Sequence, residues 1–266
     1  MATGPQQVSV KGRSVRYYEW GKPERRTVFL LHGGFGAADL HWNEAGRQLA
    51  LDYHVIAPDM PGYGGTDPLP NMTIAGLVQW LHDLIDVLEQ ERVVAVGNGF
   101  SGLVARLLAV KYPRQVSALV LVNGGVIPKV NKTAAFIAGL PVVGSMLFRR
   151  LAGRMAKRDE LKLAIQDEAV MTDEVIEQIR SEQTALANFM RALATSPRPE
   201  KTVPTVPTLL LWGEEDAITP RAVGEHIHRA IPGSKLELIA QVRHMPHLEV
   251  PDIFVWQISK FLESLP

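Results

Sequence analysis

The spacing of apolar residues changes character twice along this chain. Up to about residue 125, short β-branched runs alternate with stretches in which apolar positions recur every three or four residues. That alternation predicts a mostly parallel sheet with helices on both faces. Residues 8–10 and 15–18 read as a leading hairpin. The runs 27–31, 54–57 and 93–96 are almost uninterruptedly apolar and each leads into a glycine-bearing loop, the pattern of central strands buried on both faces. Ile74, Leu77, Val78, Leu81, Leu84, Ile85 and Leu88 share one face of a crossover helix. A second helix is expected over 101–112 and another strand over 118–122.

From about residue 128 to 207 the strand pattern stops, and 160–169 and 173–193 carry helical periodicity. The densest apolar stretch, 133–148, is broken by Gly139, Pro141, Gly144 and Ser145. It is shorter than the roughly 18 to 20 residues that span a bilayer, so a buried or pocket-lining segment is expected there. Strands resume at 208–212 and 236–239. Between them a helix should start with Thr219 as cap and Pro220 in its first turn, and a closing helix carries Phe254, Ile258, Phe261 and Leu262. The expected organisation is a core in two parts, 1–127 and 208–266, around a helical insertion at 128–207.

Composition narrows the partners. A chain of 266 residues, 46% hydrophobic and 21% charged, is an ordinary globular protein with room for a sizeable core. Its 28 basic and 28 acidic side chains cancel, which removes the charge footprint of a nucleic-acid binder or a polybasic membrane-surface protein. A small hydrophobic substrate is therefore expected, with neither nucleic acid nor membrane as partner; oligomeric state is left open. The absence of cysteine excludes disulfides, a thiolate metal site and a cysteine nucleophile. The first seven residues lack the charged start and apolar stretch of a secretory leader, so a cytoplasmic location is expected. His226 and His228, two apart on a predicted helix, point in different directions, and no metal or other cofactor is expected.

Five motifs carry more specific information: Leu30-Leu31-His32-Gly33-Gly34-Phe35-Gly36, Pro58-Asp59-Met60-Pro61-Gly62-Tyr63-Gly64-Gly65-Thr66-Asp67, Gly97-Asn98-Gly99-Phe100-Ser101-Gly102, Leu211-Trp212-Gly213-Glu214-Glu215-Asp216 and His244-Met245-Pro246-His247-Leu248-Glu249. In order and spacing, over nearly the whole chain, they resemble the α/β-hydrolase superfamily. The resemblance implies an α/β-hydrolase fold: a mostly parallel central sheet flanked by helices, with the insertion as a helical cap. Its chemistry needs a nucleophile on a sharp strand-to-helix elbow, a histidine to activate it, a carboxylate to orient the histidine, and two N–H groups for the oxyanion. It implies Asp216 as the acid and His244 as the base. The oxyanion donors would be the backbone N–H groups of Gly34 and Phe100, the latter at a helix start. His32 would brace the oxyanion loop, with His32, Phe35, Asn98, Phe136, Leu140, Met146 and Met245 around a pocket for a medium-sized apolar acyl or polyketide-like substrate. Arg149, Arg150, Arg154, Lys157 and Arg158 read as a solvated face.

The chain departs from the family at one decisive place. The elbow pattern, small-x-nucleophile-x-small, puts the nucleophile at position 99, which is Gly99. The covalent intermediate that relatives form through Ser, Asp or Cys cannot form here. Glycine fits the site because the elbow residue is held at positive φ, strained for serine and relaxed for glycine. Ser101 falls in the first turn of the helix and reads as a small packing residue. Four readings stay open: a disarmed serine hydrolase of esters, lactones or carbon-carbon bonds; an enzyme without a nucleophile that uses His244 and Asp216 as a general base for lyase, isomerase or cyclase chemistry; a hydrolase-derived ligand-binding protein; and displaced catalysis through Ser101. The tyrosines, at 17, 18, 53, 63 and 112, all lie outside the insertion, against an epoxide hydrolase. Phe100 stands where haloalkane dehalogenases carry tryptophan. Met245 stands where many meta-cleavage-product hydrolases do.

Overall fold

A computed structural model describes residues 4–126 and 130–265. The expected boundary between 127 and 128 lies outside the described residues. Eight strands form one sheet: β1 (Gln6–Val10), β2 (Arg13–Trp20), β3 (Thr27–Leu31), β4 (His54–Pro58), β5 (Val93–Asn98), β6 (Val116–Val122), β7 (Thr208–Gly213) and β8 (Lys235–Ile239). Their order is β1-β2-β4-β3-β5-β6-β7-β8. The hairpin β1-β2 and the β2-β4 pair are antiparallel, and every pairing from β4 to β8 is parallel. β3, β4 and β5 are buried at every position, as unbroken apolar runs require when helices cover both faces.

From β3 the chain first steps outward to β4 and then crosses back to β5 on the other side, so the strand order reverses between β3 and β5. Such a switch point opens a crevice at the carboxyl ends of the strands. Leu31 pairs with Gly97, Asn98 with Val122, and Val122 with Leu211, which aligns the loops after β3, β5, β6 and β7 along that crevice. The crossover helix α2 (Ile74–Val87) starts at Thr73, whose hydroxyl accepts from the Gly76 N–H at 3.0 Å. α3 (Phe100–Lys111) follows β5 with only Gly99 between them.

One helix, α1 (Ala38–Leu49), has no counterpart in the sequence reading. Its first residue is preceded by Ala37, which has no capping side chain. The cap comes from far along the chain: buried Asp59 accepts from the Ala38 N–H at 2.9 Å and from the Gly65 N–H at 3.1 Å, and is paired with Arg16. Arg16→Met is expected to cost about 3 kcal/mol in urea unfolding, because the partner charge stays buried and unmatched. An unchanged midpoint would show the pair to be solvated in effect.

Between β6 and β7 lie α4 (Lys132–Gly139), α5 (Pro141–Met155), α6 (Arg158–Leu161), α7 (Asp173–Ser181) and α8 (Gln183–Thr195). Three expectations are corrected here. The helix expected at 160–169 is a four-residue turn of helix, because the Glu249 carboxylate captures the N–H groups of Gln166 and Asp167 at 2.6 and 3.2 Å. The helix expected over 173–193 breaks at Glu182, whose carboxylate accepts from the Gly64 N–H at 3.0 Å. The stretch 133–148 is buried only in part: α4 and α5 meet at a 102° bend, Phe136 and Val142 are each 70% exposed, and Phe148 packs against the apolar cluster that holds Phe35 and Met245. Small residues, Ala138, Gly144 and Ala152, form the buried side of these helices, so Phe136, Val142, Val143, Met146 and Leu147 face outward. Among the described residues no single helix is long and apolar enough to cross a membrane.

α9 (Arg221–Ala230), α10 (Pro246–Glu249) and α11 (Pro251–Glu263) complete the chain. The start of α9 is shifted from expectation: Pro220 is the cap residue and Thr219 lies before it. The Thr219 hydroxyl is instead turned toward Asp216.

Candidate active site

The crevice gathers residues from five strand ends. His244, from the segment after β8, has Nδ1 2.8 Å from Asp216 Oδ2, and both side chains are buried. Asp216 is thoroughly satisfied. Its Oδ1 accepts from the N–H groups of Ile218 and Thr219 at 2.8 and 2.9 Å, and its Oδ2 lies 2.6 Å from both Asn123 Nδ2 and Thr219 Oγ1. Burial pushes this carboxyl up, but His244 and the Thr219 donors outweigh it and hold the group below its ordinary value. An ionised Asp216 fixes the proton on His244 Nδ1 and leaves Nε2 as a lone-pair nitrogen.

That nitrogen faces Gly99. The glycine caps α3 with φ +56° and ψ −118°, and a Cβ built on it would lie 2.9 Å from His244 Nε2. Its N–H donates to the Val122 carbonyl at 2.9 Å, and Gly124 packs so closely on its backbone that a side chain there would overlap it. Phe100 begins α3, so its N–H has no partner inside the helix. On the facing loop, the Gly34 carbonyl accepts from Tyr63 Oη at 3.2 Å. Ser101 is fully buried and its hydroxyl donates to the His32 carbonyl.

The structure separates the remaining expected contacts. His32 is buried: Nδ1 donates to the Gly33 carbonyl at 2.8 Å and Nε2 accepts from the Met60 N–H at 2.8 Å, which ties the loop after β3 to that after β4. Phe35 sets its ring edge-on to His244 with centroids 6.3 Å apart, and Met245 is buried in the same apolar cluster. Asn98 is not open to a ligand, since its Nδ2 donates to the carbonyls of Val122 and His244 at 3.2 and 3.0 Å and so straps the elbow to the histidine loop. Phe136 and Met146 are not brought to the crevice: both are exposed on the outward side of α4 and α5, and Leu140 is half-buried at their junction.

Other residues take those places. Leu186 of α8 comes down on Gly34, where an added Cβ would sit 2.7 Å from its Cδ1. Phe189 packs edge-on against Phe100 and Tyr63 with centroids at 4.4 and 5.1 Å. His41 supports the loop from behind, its Nε2 donating to the Phe35 carbonyl at 2.9 Å while Nδ1 accepts from His247 Nε2 at 2.9 Å. Among the described residues no group of three potential ligands could hold a metal ion.

Asn123 is the residue sequence reasoning missed most completely. It ends β6 at φ +47°, fully buried; Nδ2 donates to Asp216 and, at 3.2 Å, to the Arg243 carbonyl, and Oδ1 accepts from the Gly213 N–H at 3.2 Å. The only hint was an Asn before Gly-Gly at a strand end, a residue type that tolerates the left-handed region. Asn123→Ala leaves those partners unmatched and puts a Cβ-bearing residue without a local hydrogen bond at positive φ, so about 2–4 kcal/mol of stability should be lost. Urea denaturation checks this, and a loss under roughly 0.5 kcal/mol would mean that water replaces the amide.

A histidine held by a carboxylate beside a strand-to-helix elbow, at the carboxyl ends of a parallel sheet, is the arrangement of a hydrolase-like α/β protein. Residues 26–251 match the alpha/beta hydrolase fold family, and the chain belongs to it. The 2-hydroxy-6-oxononadienedioate/2-hydroxy-6-oxononatrienedioate hydrolase of Cupriavidus pinatubonensis is 28% identical over 258 residues, covering 89% of this chain and 86% of the relative. The enol-lactonase from Burkholderia xenovorans shares the fold with a TM-score of 0.79 at 20% identity, over 97% of this chain and 100% of its own. A meta-cleavage product hydrolase from Pseudomonas fluorescens does so with a TM-score of 0.75 at 23% identity, over 97% of each chain.

Proposed function

We propose that the crevice is a serine-hydrolase-type site for ester, lactone or carbon-carbon bonds of small hydrophobic substrates, with Gly99 at the position of the nucleophile and the inserted helices as its cap. The observation that carries this reading is the direction of the missing side chain: a Cβ on Gly99 points at His244 Nε2 from 2.9 Å. With an oxygen there, Nε2 would take its proton as the oxygen attacks the substrate carbonyl. The oxyanion would draw on the N–H groups of Gly34 and Phe100. His244, held as imidazolium by Asp216, would then protonate the leaving group, and water would release the acyl group. The relationship to a named 2-hydroxy-6-oxo acid hydrolase supports this reaction class.

As the chain stands, the first bond cannot form. A second reading follows from the intact His244-Asp216-Thr219-Asn123 network. His244 then acts directly as general base on a water or on an acidic substrate hydrogen. The two are separated by exposing this chain and its Gly99→Ser form to a fluorophosphonate and to activated esters and lactones. Labelling and an acyl burst confined to the serine form support the first reading; labelling of neither form removes it. Under the second, turnover by the unaltered chain should fall on the order of 10²- to 10⁴-fold in His244→Ala. Turnover that persists in that variant would exclude the histidine as base.

A further inference from the structure

The neutrality of the whole chain hides a segregation of charge. Between Glu91 and Asp159 there is no acidic residue, while the described part of that stretch after β6 carries Lys132, Arg149, Arg150, Arg154, Lys157 and Arg158. Arg154 and Arg158 are paired with Glu160 and Asp173. Lys132, Arg149 and Arg150 are exposed and have no ion pair among the described residues.

The same segment concentrates exposed apolar side chains. Phe136 and Val142, each 70% exposed, flank the bend, and Val143, Met146 and Leu147 continue the surface along α5. The bend is rigidly made. Arg191 of α8 donates from Nε to the Ala138 carbonyl at 2.9 Å and from its terminal nitrogens to the Gly139 carbonyl at 3.2 Å and Ser145 Oγ at 3.3 Å, locking the end of α4 to the start of α5. Pro141 at the first position of α5 fixes the turn further. The result is an exposed apolar bend with cationic side chains on both helices.

Charge and apolar exposure together decide among partners, since the same surface offers both cations unpaired among the described residues and large apolar side chains. An apolar face bordered by Lys and Arg is the composition of helices that lie in a bilayer interface. We propose that the α4–α5 elbow is a docking surface for a bilayer containing anionic phospholipid, with Phe136 and Val142 inserted below the headgroups and Lys132, Arg149 and Arg150 among the phosphates. The 102° bend and the packing of the small-residue side on α8 mean that the elbow lies in the interface and does not span it.

The test is flotation of the full chain with vesicles of phosphatidylcholine alone and of phosphatidylcholine mixed with phosphatidylglycerol, and it is independent of the chemistry at Gly99. Binding to the mixed vesicles is expected, weakening as salt is raised. Each of Arg149→Gln and Arg150→Gln should lower the partition about fivefold at low ionic strength. Phe136→Asp with Val142→Asp should lower it more than roughly tenfold, and an unaltered thermal midpoint will show that this variant is folded, since both side chains are exposed. Flotation of the parent with neither vesicle overturns the proposal, as does equal flotation of all variants. Concentration-dependent self-association without lipid, abolished by Phe136→Asp, would assign the surface to a second copy of the chain and also overturn it.

Discussion

Gly99→Ser is expected to gain acyl-transfer activity on the order of 10⁴-fold or more over the glycine chain, the scale on which loss of the nucleophile disables serine hydrolases. The gain should carry a stability cost. Serine at φ +56° costs about 1–3 kcal/mol in backbone strain, and a Cβ 2.9 Å from Nε2 forces the imidazole back by a few tenths of an ångström. In a chain of this length that corresponds to a thermal midpoint lowered by roughly 2–8 °C. The two effects must appear together, but only the activity depends on His244, so Gly99→Ser with His244→Ala should keep the part of the lowered midpoint that backbone strain causes and lose the activity. An activity gain that survives removal of the histidine would point to a contaminating esterase. Lost stability without any gain would leave the elbow a purely structural turn.

A steep loss of stability is expected as pH falls from about 6.5 to 5. Burial, reinforced by neighbouring imidazoles, holds His41 and His247 well below the ordinary histidine value, and burial lowers His32 in the same direction. Groups depressed in the folded state bind protons first in the unfolded chain. Their contribution is fully present above about pH 6.5 and is lost as pH drops toward the folded value, by about 1.4 kcal/mol per pH unit for each imidazole. The His41-His247 pair should make the largest share of this loss, since burial displaces both groups well below the ordinary histidine value. Glu182 and Glu249, raised by burial, oppose this only in the carboxylate range, and Asp216 adds its own loss lower still. Urea midpoints across this range check the slope. His247→Phe should cut it by about one imidazole's share, even if stability at neutral pH falls. A flat profile down to pH 5 would mean that the pair is already protonated or hydrated in the folded state.

The β-strands were the most legible part of the chain, because burial on both faces leaves unbroken apolar runs at 27–31 and 93–96 that a helix of similar length would interrupt. The contact of Asp216 with His244 was legible because each residue follows directly from a strand-end motif. What was not legible depended on partners distant in sequence. α1 is capped by Asp59 of another loop, and the breaks at Gln166 and Glu182 are made by Glu249 and by Glu182 reaching Gly64. Asn123 has no local pattern, since its three partners lie on β7 and the two loops beyond. The apolar residues of 133–148 invited a pocket, yet the contact with α8 uses the small ones between them. Apolar content alone does not say which side of a helix is turned inward.

The backbone N–H of His244 is committed to the Ala164 carbonyl at 2.9 Å, Arg243 donates to the Lys162 carbonyl, and Glu249 holds Gln166 and Asp167. The insertion is thus pinned to the histidine loop along one edge by hydrogen bonds, whereas over Gly34 and Phe100 it rests on the apolar side chains of Leu186 and Phe189.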